Sequence, residues 1–211
     1  MRDQDTSQPA RLLLSDSFTR AVDYARHLHI ERRKGTEVPY MAHLLGVAAL
    51  VMGEAGHTDF PVTEEMVIAA LLHDAAEDHG GELRLEDIAR NFGADVARMV
   101  EGLSDSLTEE NDLKQPWLER KEAYIKGLRQ EPVEIQLISV ADKLYNAKAI
   151  LDDYREIGAA IWTRFQRGRQ DQLWYFDALI AVFRSAPLGR IVAELERVVD
   201  ELRAISAKEL I

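Results

Sequence analysis

Three stretches of the sequence carry side chains that sit badly with the apolar runs around them. In VIAALLHDAAED, six apolar residues from Val67 to Leu72 lead directly into His73 and Asp74, and Glu77 and Asp78 follow. A helix through this segment sets His73 one turn from Glu77 and Asp74 one turn from Asp78, so four ionisable groups crowd the end of a buried helix. Buried charge is costly unless it is paired or coordinates a metal. In LISVADKLYNA, Asp142 lies well inside a second apolar helix, with Asn146 one turn later on the same face. The third stretch places His43 within the apolar run from Met41 to Met52.

Taken singly, each feature has an ordinary explanation. A lone histidine on an apolar face is most often a satisfied core residue, and a lone helical aspartate is a cap or a salt-bridge partner. Together, His43, His73, Asp74 and Asp142 supply two imidazoles and two carboxylates from three apolar helices. That set suits Mn²⁺, Fe²⁺ or Zn²⁺. Four protein ligands still leave a metal of higher coordination number room for water and a phosphate oxygen. The chain has no cysteine, so thiolate ligands and disulfides are excluded.

The elements that must position these residues read as helices nearly throughout. Phe18, Val22, Ala25 and Leu28 form one apolar stripe over residues 16–30, capped by Asp16 or Ser15. Pro39 precedes an apolar helix ending near Gly53 or Gly56, and Thr63 caps the helix that runs on through EEMVIAALLHDAAED. LEDIARNFG ends at Gly93, ADVARMVEGLSD follows, and Pro116 and Pro132 open the next two helices. Residues 170–184 and 187–209 supply two more, divided by Pro187. No alternating strand, repeat or low-complexity tract is evident, so the expectation is a compact all-α single-domain bundle of about eight to ten helices. We expect residues 1–12 to be a disordered N-terminus and 13–211 to form the domain. The polar segment 104–115 is expected to be a mobile loop and a candidate lid.

With 211 residues and 46% hydrophobic content, the chain can bury a sizeable core. Its formal charge of −11 argues against a general nucleic-acid binder but not against a small anionic substrate held in a locally basic pocket. The N-terminus has no basic start followed by an apolar run, and no stretch approaches a membrane span of ~18–20 apolar residues, so no membrane association and a cytoplasmic location are expected.

The ordered series ERRKGTEVPYMAHLLGVA, AALLHDAAED, the FG of NFG, LERKEAY and VADKLYNAKAI resembles the successive motifs of HD-domain phosphohydrolases. It most resembles the alarmone (ppGpp) hydrolases, both the stand-alone metazoan SpoT-homologue type and the hydrolase domain of RelA/SpoT proteins. The resemblance covers roughly residues 18–185. It implies the HD-type fold and one divalent metal, Mn²⁺ before Fe²⁺, Zn²⁺ or Mg²⁺, on His43, His73, Asp74 and Asp142. It also implies a catalytic acidic pair at Glu77 and Asp78, and substrate contacts from Arg33, Lys34, Lys143, Tyr145 and Asn146. The implied reaction removes the 3′-pyrophosphate of (p)ppGpp, leaving GDP or GTP. Glu31, Leu44 and Ala149 stand where many relatives carry Gln, Pro and Thr. The alternatives are an HD-type hydrolase of another nucleotide, such as the 2′-phosphate of NADPH, and a non-catalytic nucleotide sensor.

Other features have plainer readings. His27 and His29 are expected at the surface or the pocket edge rather than as ligands, and His57 and His79 in solvent-facing turns. Arg120 and Lys121 either pair with Glu119 and Glu122 on an exposed helix or reach phosphate. Trp174, Tyr175 and Phe176 read as core or interface anchors. The last helix reads as packing or as a homodimer face.

Overall fold

The computed structural model describes residues 11–107 and 115–207. Most of the segment expected to be a disordered N-terminus, and the middle of the expected lid, therefore lie outside the described residues. The elements run α1 (Asp16–Leu28), α2 (Tyr40–Gly53), α3 (Glu64–Leu72), α4 (Ala75–Asp78), α5 (Gly81–Phe92) and α6 (Ala94–Leu103). They continue with α7 (Trp117–Leu128), α8 (Val133–Ile157), a 3₁₀ segment (Gly158–Arg164), α9 (Arg169–Phe183) and α10 (Arg190–Ala207). The all-α expectation holds, and the extended pairing among the described residues is an isolated bridge between Arg32 and Pro39.

Helix starts follow local chemistry. Ser15 caps α1 by accepting from the Ser17 N–H, and its own N–H and hydroxyl donate to Glu64 at 2.6 and 2.9 Å, which ties the start of α1 to the start of α3. Thr63 caps α3 by accepting from Met66 N–H. Pro39, Pro116 and Pro132 sit at the caps of α2, α7 and α8.

The core is built around α3, whose residues Met66–Leu72 are all buried, and α8, which buries every residue from Ile135 to Asp142. α3 packs against α1, α2, α6 and α8, while α10 lies along α8. Side chains on α2, α3 and α8 can therefore meet at one point.

The structure departs from the expected single helix over residues 64–78. α3 ends at Leu72, and α4 begins at Ala75. The His73 imidazole bonds the Ala70 carbonyl through Nδ1 at 2.9 Å, and that carbonyl is the one a continuous helix would offer to Asp74 N–H. The chain turns at the His-Asp pair and resumes one helical turn, with Asp78 N–H reaching Asp74 O.

Candidate metal centre and cavity

α2 presents His43, the α3–α4 junction presents His73 and Asp74, and the middle of α8 presents Asp142. Their donor atoms converge. His43 Nε2 lies 3.2 Å from His73 Nε2, 3.4 Å from Asp74 Oδ2 and 3.3 Å from Asp142 Oδ1. His73 Nε2 lies 3.0 Å from Asp74 Oδ2 and 3.6 Å from Asp142 Oδ1. Such separations are those of donors each about 2.0–2.2 Å from one shared ion. The Nδ1 bond of His73 to Ala70 O fixes its ring so that Nε2 faces the cluster, as metal-binding histidines commonly require. Two imidazole nitrogens directed at each other and at two carboxylates, nearly all buried, fit a divalent cation.

The surroundings hold the donor side chains in order. Lys143 donates to Asp142 Oδ2 at 2.5 Å, and Asn146 donates to Asp142 Oδ1 at 2.6 Å. Burial opposes ionisation of Asp142, but the Lys143 ammonium and His73 outweigh it and hold the carboxyl well below the usual range. Burial keeps His43 below its ordinary value, so its ring is neutral. Tyr40 donates to Asp74 Oδ2 at 2.6 Å; burial and the Asp74 charge push its phenol up, so it stays a donor.

Glu77 stands beside the cluster and accepts from Asp105 N–H at 3.1 Å. Burial, then the Asp105 charge, push its carboxyl up to about 7. Asp78, its partner in the expected acidic pair, is exposed and does not line the cavity that opens over the cluster.

That cavity has a volume of about 780 Å³. His43, His73, Asp74, Asp142 and Glu77 line one region, and Arg33, Lys34, Lys121, Lys143, Lys148 and Arg164 contribute cations to its walls. Arg33 donates to Asn146 Oδ1 at 2.8 Å and lies over the Tyr145 ring at 5.6 Å. Lys34 is exposed on the same loop. Tyr145 is seated against Gly46, where a Cβ would come within 2.0 Å of its ring.

Two plain readings of the sequence, those of His29 and His79, need correction, and those of Arg120, Lys121 and Tyr175 are narrowed. Arg120 and Lys121 are largely buried and both pair with Asp105, not with Glu119 or Glu122. Tyr175 is a buried core anchor as expected and also lines the cavity, with Lys121 and Lys143 at 5.1 and 5.9 Å from its ring centre. His29 is only 2% exposed. His79 is half-buried rather than solvent-facing. Sequence reasoning also missed Tyr40, Asp105 and Arg164. Tyr40 could have been found from its place three residues before His43, whereas Asp105 opens a polar stretch that carries no such signal.

This architecture, with its His/His-Asp/Asp centre, is that of an HD-domain protein. The HD-domain family profile matches residues 21–172, and the chain belongs to that family. The chain is 39% identical over 130 residues to the guanosine-3′,5′-bis(diphosphate) 3′-pyrophosphohydrolase MESH1 of Mus musculus. That match covers 61% of this chain and 66% of the mouse protein, slightly under two thirds of the relative's length. The Drosophila melanogaster protein of the same name is 31% identical over 160 residues, covering 75% of this chain and 79% of its own. A solved structure described as a metazoan ortholog of SpoT that hydrolyzes ppGpp aligns with a TM-score of 0.68 at 26% identity. It covers 90% of this chain and 97% of that one.

Proposed function

We propose that the chain is a Mn²⁺-dependent guanosine 3′,5′-bis(diphosphate) 3′-pyrophosphohydrolase. The observation that carries this reading is that one cavity holds both the four-donor cluster with Glu77 and a wall of cations and aromatic rings. Its volume suits a nucleotide-sized ligand. The relatives named for this reaction add to it.

A divalent ion held by His43, His73, Asp74 and Asp142 would supply Lewis acidity, lowering the pKa of water and drawing charge from a phosphate oxygen. The protein does the rest. Arg33 and Lys34, on the loop before α2, offset charge on the phosphates, as does Lys143 beside Asp142. Tyr145 offers a flat face for stacking, and Asn146 orients both Asp142 and Arg33. Glu77, with a carboxyl balanced near neutrality, moves the proton. In the net reaction, a water oxygen forms a bond to the phosphorus attached to the 3′ oxygen. The bond from that phosphorus to the 3′ oxygen breaks, and the 3′ oxygen leaves with a proton. The products are pyrophosphate and GDP from ppGpp, or GTP from pppGpp. Asp78, exposed beside Glu77, is the second member of the acidic pair and adds negative charge at the edge of the site.

The test is direct. Purified protein with Mn²⁺ should release pyrophosphate from ppGpp. Absence of release across Mn²⁺, Fe²⁺, Zn²⁺ and Mg²⁺, with clean turnover of another nucleotide such as NADPH, would overturn the assignment.

A further inference from the structure

A second group of metal-type donors lies outside the centre just described. His29 ends α1, Glu31 follows two residues later, and His79 ends α4 just before Gly80 and Gly81, both of positive φ. The backbone fixes this meeting point: Tyr40 N–H bonds Glu31 O at 3.0 Å, and Arg32 pairs with Pro39. Three donors from two separate helix ends therefore converge, and their ligand-type atoms lie within 4.8 Å of one another.

Hydrogen bonding does not account for the group. Glu31 Oε1 is 2.8 Å from His29 Nδ1, which is a good hydrogen bond. The same oxygen is 3.6 Å from His79 Nε2, too long for one. His29 Nε2 and His79 Nε2 are both sealed from solvent with no hydrogen-bond partner among the described residues. The side chain of His29 is completely buried. The 3.6 Å spacing falls within the 3.0–3.6 Å found between donors of the first cluster. Burial holds His29 below its ordinary value; at Glu31 burial pushes the carboxyl up, but the His29 hydrogen bond, a backbone hydrogen bond and the nearby imidazoles together outweigh it and keep it low. A neutral imidazole and an ionised carboxylate are the forms a cation binds.

We propose that His29, Glu31 and His79 form a second divalent cation site, of the Zn²⁺ class, separate from the His43/His73/Asp74/Asp142 centre. Two imidazoles and one carboxylate match Zn²⁺ better than Ca²⁺ or Mg²⁺, which prefer all-oxygen shells, and three protein ligands leave a position for water. The site runs against the expectation that His29 is not a ligand and that His79 faces solvent. It clamps the loop bearing Arg33 and Lys34 to the turn that follows Glu77. It also borders the first centre through one ring: Tyr40 stacks on His29 at 5.0 Å and 11°, and its hydroxyl holds Asp74. Tyr40 is thus a positioning residue between the two cation sites.

The inference does not depend on which nucleotide is hydrolysed, and its test counts metal rather than turnover. The full chain, stripped by chelation, is titrated with Zn²⁺, and bound metal is measured after desalting. Titration with Co²⁺ followed by visible absorption provides a second readout. The wild type should take up two equivalents in two steps. Glu31→Gln and His79→Ala should each lose one step, with affinity there at least tenfold weaker, and keep the other. Circular dichroism melts show that each variant is folded, and the half-exposed His79 keeps the test open if Glu31→Gln is not. A single equivalent in the wild type, or a second equivalent retained by a folded variant, overturns the proposal.

Discussion

Glu77 is the residue on which proton transfer in the proposed reaction turns. With its carboxyl pushed up to about 7, it is protonated below that pH and ionised above it. If it delivers the proton to the leaving 3′ oxygen, kcat falls as pH rises through about 7. Glu77→Gln should keep full metal content, slow turnover by roughly 10²–10⁴-fold and remove that limb from the pH–rate profile. Equal activity in the variant would remove the acid/base assignment. At this scale the sequence is unevenly legible. His73, Asp74 and Asp142 stand out because apolar runs make an unpaired charge costly. Asp105 and Lys121 do not, because their polar neighbours make a solvated surface the cheaper reading. His29 was misread because a histidine at the end of a helix carries no periodicity that says which way it faces.

At the level of elements, the close approach of α2 to α8 depends on Gly46. A Cβ there would sit 2.0 Å from the Tyr145 ring, so Gly46→Ala must displace that ring or part the helices. Overpacking of this kind costs about 1–3 kcal/mol. The expected result is a lower melting temperature and a several-fold higher KM, with metal content unchanged; a melt and a KM–kcat comparison check it. Helix order and most caps were readable from Ser15, Thr63, Gly93 and the three prolines, since those residues act locally. The break between α3 and α4 was not. It goes with the His73 ring bonding Ala70 O and with donor side chains from distant helices, neither of which a periodic pattern encodes. The 3₁₀ segment Gly158–Arg164 was missed for a similar reason: its Arg164 is held by Asp153 at 2.6 Å and lies over Gly35 from another loop.

For the whole molecule, a formal charge of −11 coexists with a cavity lined by six basic and six acidic side chains. The lining balances its charges within a strongly acidic molecule, an arrangement that bulk composition cannot reveal. No helix among the described residues is long and apolar enough to cross a membrane. Because the donor cluster joins α2, α3 and α8, the ion should stabilise the entire core. At a hundredfold excess over Kd, binding contributes about 2.7 kcal/mol, or on the order of 8 °C in Tm for a chain of this size. Chelation should lower Tm by that order, and added Mn²⁺ should restore it. An unchanged Tm would mean that the cluster is held by its hydrogen bonds alone.

Asn146 has one further consequence. Its amide nitrogen holds the Oδ1 atom of Asp142, and its amide oxygen holds the guanidinium of Arg33. A single side chain therefore stands between the proposed ion ligand and the proposed phosphate arm. If a bound anion shifts Arg33 and this is passed through Asn146 to Asp142, the ion must alter anion affinity by the same factor, since linkage is reciprocal. Were both proposed ligands bound, the two events would share one hinge, and nucleotide affinity should carry a record of whether the ion is in place.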